Sequence, residues 1–132
     1  MLPLNHPRLW LAGGALLVLI ILSGSLLPGE YVPSVGFWDS DKVNHALGYA
    51  GLTFWFTGIY SRSRYPQVVV GLLLLGALVE VLQGAMSFGR DRDLNDMFAN
   101  IVGIAIGMVL ALACTGGWAQ KVETQVARMW SR

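Results

Sequence analysis

The stretch "GRDRDLNDMFANIVGIAIG" at Gly89–Gly107 decides how this chain is read. Its first half carries Arg90, Asp91, Arg92, Asp93 and Asp96. Its second half opens a largely apolar run, Met97–Trp118. A second apolar run, Gln67–Met86, lies just before it. Each run has about the 20 residues that a helix needs to cross hydrocarbon. The charges are therefore a short loop and the first turn of a helix, held between two spans. Spacing sorts the side chains within that helix. Asp93, Asp96 and Asn100 share one stripe at intervals of three and four, and the stripe continues as Gly103 and Gly107. Alongside it runs Ala99, Gly103, Gly107 and Ala111, a ridge of small residues that lets a neighbouring backbone approach closely.

Outward from this stretch the pattern repeats. Two more apolar runs, Leu9–Leu27 and Val43–Tyr60, bring the expected spans to four. Composition agrees. Of 132 residues, 55% are hydrophobic and only 13% charged, against roughly 25% charged in soluble domains. The sequence thus predicts an all-α membrane protein, a single domain (1–132) built as a four-helix bundle. A net charge of +1 and the lack of a basic stripe exclude a nucleic-acid partner. The single cysteine, Cys114, lies in an apolar run and reads as a packing residue. No CxxC, HExxH, P-loop or GxGxxG pattern is present. The first run has one other reading, a signal peptide flanked by Arg8 and the small residues Ser23–Ser25. Against it, the run exceeds the usual ~7–15-residue signal core.

Basic residues set the expected direction. Arg8, Arg62, Arg64, Lys121, Arg128 and Arg132 fall on one side, and Lys42, Arg90 and Arg92 on the other. Both termini are therefore expected in the cytoplasm of a bacterial cell, the protein lying in its inner membrane. After Trp118, Val122, Val126, Met129 and Trp130 recur on one helical face, with Lys121, Gln125 and Arg128 elsewhere. That spacing predicts a short amphipathic helix (tail 119–132) on the inner leaflet; the alternative is a frayed terminus.

Polar residues inside spans are costly and face protein or water. Asp41, His45 and Tyr49 stack at intervals of four in the second span, with Lys42 beside His45. Glu80 and Gln83 share a face in the third, with Gly76 and Gly84 one turn away on either side. Together with Arg90, Asp93, Asp96 and Asn100 they form one expected polar pocket at the outer face. Two helix N-termini converge there, and Lys42 and Arg90 add full positive charge. An anionic headgroup suits such a site. His45, Glu80 and Asp96 are the acid/base candidates; Asp41, Lys42, Tyr49, Gln83, Arg90, Asp93 and Asn100 are the ligand-binding candidates. A divalent cation is a candidate cofactor.

The arrangement also resembles a known family. "SLLPG" at Ser25–Gly29, "DKVNH" at Asp41–His45 with Tyr49, "EVLQ" at Glu80–Gln83 and the Gly89–Gly107 segment stand in the order seen in the VanZ-like family of small bacterial membrane proteins. The resemblance implies a four-span fold and an envelope setting. It extends the family's link with teicoplanin resistance to this chain as an expectation only. Three functions of different class follow. One is recognition, or enzymatic turnover, of an anionic envelope lipid or lipid-linked saccharide. Another is a non-catalytic scaffold or partner-binding protein. The third is a proton- or ion-coupled transporter, the weakest because the polar residues gather at one end.

Overall fold

The computed structural model describes residues 1–26, 41–86 and 94–130, and these residues are helical with short connections. Five helices follow in order: α1 (Pro7–Leu26), α2 (Asp41–Ile59), α3 (Tyr65–Met86), α4 (Leu94–Leu110) and α5 (Trp118–Trp130). A single 3₁₀ turn, Arg62–Arg64, leads into α3, and a π-helical turn, Ala111–Thr115, prolongs α4. Among the described residues three helical segments are long and apolar enough to cross a membrane: Pro7–Leu26, Arg62–Ala85 and Leu94–Thr115. They turn leucine, isoleucine and valine outward, as at Leu16, Leu19, Leu74, Leu78 and Val109. Side chains of this kind on the outside suit lipid, not water. The described residues are all-helical, and the three apolar helices mark a membrane protein.

The expected second span is different. α2 begins at Asp41 and carries Lys42, Asn44 and His45 in its first turns, so it falls outside the apolar set. Its position explains the composition. His45, Tyr49, Leu52, Thr53, Thr57, Gly58 and Ile59 are buried, and α2 packs against α1, α3, α4 and α5. A helix enclosed by others presents little surface to lipid and needs less hydropathy. Its two buried threonines are satisfied within the helix: Thr53 Oγ1 donates to the Tyr49 carbonyl at 2.7 Å, and Thr57 Oγ1 to that of Thr53 at 2.7 Å.

The small-residue ridge of α4 faces α2. A Cβ on Gly103 would meet the Ala46 carbonyl, and one on Gly107 would come within 2.6 Å of Thr53 Cβ. Ala99 and Ala111 are buried on the same line. α1 approaches α2 through Gly13 and Gly14, which touch Trp55 and Phe56. Between these contacts lies an apolar centre of Tyr49, Leu52, Leu72 and Ile104.

Helix starts differ from the sequence expectation by two or three residues. Pro7, Asp41, Tyr65 and Leu94 each start a helix before the apolar run does. Proline suits a first turn, and an acid such as Asp41 suits the positive helix N-terminus. The tail is no frayed end but a helix through Trp130, with Val126, Met129 and Trp130 exposed.

Candidate functional site

The polar side chains collect where α2 and α4 begin and α1 and α3 end. Asp41 and His45 stand one turn apart on α2, and Asp96 lies in the first turn of α4, facing them. His45, Asp96 and Asn100 are buried, whereas Asp41 and Lys42 reach the surface. Lys42 Nζ lies 3.6 Å from Asp96 Oδ1. His45 Nε2 lies 3.8 Å from Asp41 Oδ2 and 3.9 Å from Asp96 Oδ2. On the other side of the ring, Nδ1 is 3.0 Å from Asn100 Oδ1. With the Asn100 carbonyl oxygen as acceptor, the imidazole carries its proton on Nδ1 and presents Nε2 to the two carboxylates.

α3 closes the cluster from the side. Gly76 is buried, and a Cβ there would come within 3.0 Å of Asn100 Nδ2 and 3.4 Å of the Tyr49 hydroxyl. Glu80 stands one turn further along α3, and its Oε1 is buried. Glu80 thus points into the bundle and not at lipid, as the sequence implied. Gly84, the other glycine expected to allow close packing, is exposed. Gln83 is buried but turns away from the cluster: its Nε2 donates to the Ser25 carbonyl of α1 at 2.9 Å. It ties α3 to the end of α1, a role its shared face with Glu80 did not reveal.

The structure therefore brings together Asp41, Lys42, His45, Tyr49, Glu80, Asp96 and Asn100. Arg90 and Asp93 lie outside the described residues. Several buried polar atoms at this end of the bundle have no hydrogen-bond partner among the described residues: His45 Nε2, the Tyr49 hydroxyl, Gln83 Oε1 and Asn100 Nδ2. In a buried site each such atom is expensive. Asp41, His45 and Asp96 each offer one donor atom, all three within 4.8 Å of one another.

The opposite end of the bundle holds an assembly that the sequence reading missed. Trp10, Trp55, Trp118 and Phe54 form an aromatic cluster, with Phe54 and Trp118 stacked at 5.2 Å between ring centroids. Glu123 of α5 binds the start of α1. It accepts from the Asn5 N–H at 2.6 Å, the His6 N–H at 3.0 Å and Trp10 Nε1–H at 2.8 Å. Burial pushes the Glu123 carboxyl up, but these three hydrogen bonds and the adjacent His6 outweigh it and hold the group below the usual carboxylate range. The available signal was depth: three tryptophans at the same end of three different segments, as in an interfacial aromatic belt.

Comparison with protein-family models, with curated proteins and with solved structures yields no match.

Proposed function

We propose that the chain is a four-span membrane protein of the VanZ-like type, whose outward-facing polar site recognises an anionic envelope lipid or lipid-linked saccharide. In this reading α2 is the fourth span, enclosed by the other three. Both termini and α5 are cytoplasmic, by the distribution of basic residues, and the bacterial inner membrane is the setting. α5 lies along the membrane surface with Val126, Met129 and Trp130 toward lipid.

One observation carries the functional reading. The buried array of His45, Asp96 and Asn100 is continued to the surface by Lys42 and Asp41. A network that served only to join helices would be satisfied internally. This one ends in a surface ammonium, beside the N-termini of α2 and α4, where a phosphate or carboxylate is favoured. Lys42 supplies the full positive charge and the two helix ends the partial ones. If the bound molecule reacts, His45, Glu80 and Asp96 are the groups placed to move a proton. Away from the cluster the interior is packed by Leu52, Leu72 and Ile104, which speaks against a relay crossing the bundle. The His45–Asn100 hydrogen bond between α2 and α4 favours the scaffold reading in part, since that bond joins helices whatever else it does.

Two measurements test the proposal. A reporter fused after Arg132 is active only when cytoplasmic, and periplasmic activity there overturns the topology. In nanodiscs, native mass spectrometry retains phosphatidylglycerol over phosphatidylcholine on the wild-type chain. Lys42→Ala removes that preference; equal retention of both lipids by the wild type overturns the headgroup reading.

A further inference from the structure

The geometry points to a binding site for one first-row divalent cation, of the Mn²⁺ or Zn²⁺ class, formed by Asp41 Oδ2, His45 Nε2 and Asp96 Oδ2. This site stands on its own geometry and does not rest on the lipid reading.

With a neutral imidazole the arrangement is one of acceptors facing acceptors. Nε2 of His45 lies 3.8 Å and 3.9 Å from the two carboxylate oxygens. Hydrogen bonds between nitrogen and oxygen run about 2.7–3.2 Å, so neither contact is one. Nδ1 is already engaged with Asn100 Oδ1 at 3.0 Å, which puts a proton on Nδ1 and, in the neutral imidazole that a metal binds, leaves a lone pair on Nε2. That lone pair belongs to a side chain only 5% exposed, and Nε2 has no hydrogen-bond partner among the described residues. Two carboxylates and an imidazole lone pair converge on one small volume, and a cation between them turns mutual repulsion into ligation.

Spacing and support fit a metal. Residues one turn apart on a helix, like Asp41 and His45, present their ligand atoms on one face. Asp96 comes from the helix opposite. Zinc bonds of about 2.0–2.2 Å to nitrogen and oxygen place the ligand atoms roughly 3.3–3.5 Å apart in a tetrahedron. The site must therefore contract by about half an ångström on the His45 contacts, and Asp41, half-buried at the start of α2, has room to swing. Asn100 orients the imidazole from behind, as a carbonyl partner does for most metal-bound histidines. Lys42 Nζ lies 3.6 Å from the other oxygen of Asp96, Oδ1, so its ion pair and the His45 contact fall on different oxygens. A nitrogen donor with two carboxylates selects Mn²⁺ or Zn²⁺ over Mg²⁺ and Ca²⁺, which favour oxygen alone. Three protein ligands leave at least one coordination position open.

The test uses the full, untagged chain in neutral detergent without anionic lipid, so its result is separate from that of the lipid experiment. After stripping with EDTA, Mn²⁺ is titrated and the free ion followed by electron paramagnetic resonance, with Zn²⁺ as competitor. The expected result is saturation at one ion per chain, displaced by Zn²⁺. His45→Gln and Asp41→Asn each weaken binding at least tenfold, and Asn100→Ala weakens it by about 10- to 100-fold. Asp41→Asn, at a partly exposed helix start, serves if His45→Gln fails to accumulate. Absence of saturable binding to the wild type overturns the proposal. So does unchanged affinity in Asp41→Asn.

Discussion

The two ends of the helical bundle are built from the same kinds of groups and treat them in opposite ways. At the tryptophan end, polar atoms carried into apolar surroundings are paired. Trp10 Nε1–H donates to Glu123, Trp55 Nε1–H to the Trp10 carbonyl at 3.1 Å, and Trp118 Nε1–H to the Phe54 carbonyl at 3.0 Å. Arg62 reaches the Leu112 carbonyl in the π-helical turn, and the Tyr65 hydroxyl donates to that of Thr57. Thr115 Oγ1 is the exception among the described residues. At the Asp41–Asp96 end, His45 Nε2, the Tyr49 hydroxyl, Gln83 Oε1 and Asn100 Nδ2 have no hydrogen-bond partner among the described residues. Satisfied networks stabilise and specify a fold, whereas unsatisfied ones cost stability and persist where something else binds. In the proposed reading the tryptophan end holds the bundle shut and the other end binds.

The largest expected effect is common to both ends. Gly103→Leu drives a side chain into the Ala46 carbonyl and separates α2 from α4, at a cost of about 3 kcal/mol or more. Membrane accumulation and monodispersity on gel filtration should collapse; normal yield would remove the framework on which the comparison rests. Next comes Trp118→Ala. It deletes the stack on Phe54 and the contacts with Trp10 and Trp55, and should destabilise by about 2 kcal/mol in a thermal melt. Metal and headgroup binding at the far end should be unaffected, and a loss there would show that the two ends are not separable.

Glu123→Gln exchanges charge-assisted hydrogen bonds for neutral ones and should cost about 1 kcal/mol. It is read as faster amide exchange at Asn5 and His6. The same release should follow acidification. Because the folded carboxyl titrates below its free value, the docking of α5 is fully present above the ordinary carboxylate range. It is lost as pH falls through the depressed value. Exchange at Asn5 and His6 that is flat through this range would break the clamp assignment. The smallest stability effect belongs to Lys42→Ala. Its half-exposed ion pair with Asp96 is worth under about 0.5 kcal/mol. A substitution with almost no thermal signature that removes headgroup retention would sharpen the contrast between the ends. A large loss of stability would blur it.

Much of this was written in spacing. The intervals of four between Asp41, His45 and Tyr49, and between Asp96 and Asn100, put each set on one helix face, and the structure joins those faces. The Ala99–Gly103–Gly107–Ala111 ridge announced a close helix contact, though not which helix it would meet. Glu80 had to turn inward because lipid offers a carboxylate nothing. These readings succeed because they concern one helix at a time, where a period of 3.6 and the cost of desolvation suffice.

Contacts between helices were decided only by the tertiary structure. Gln83 shares a face with Glu80, yet bonds to Ser25 because the end of α1 happens to pass there. Lys42 meets Asp96 across two helices with no sequence relation. Glu123 reaches back 118 residues to Asn5 because a left-handed turn at Gly117, with φ of 71°, folds α5 against the start of α1. α2 became the enclosed helix although its first turns carry Asp41, Lys42, Asn44 and His45, since enclosure depends on what surrounds a helix. Periodicity determines which side chains share a face and burial energetics determine that the face must be covered. Which neighbour covers it depends on crossing positions set by close backbone contacts, as at Gly76, Gly103 and Gly107, and these exist only once the helices have packed.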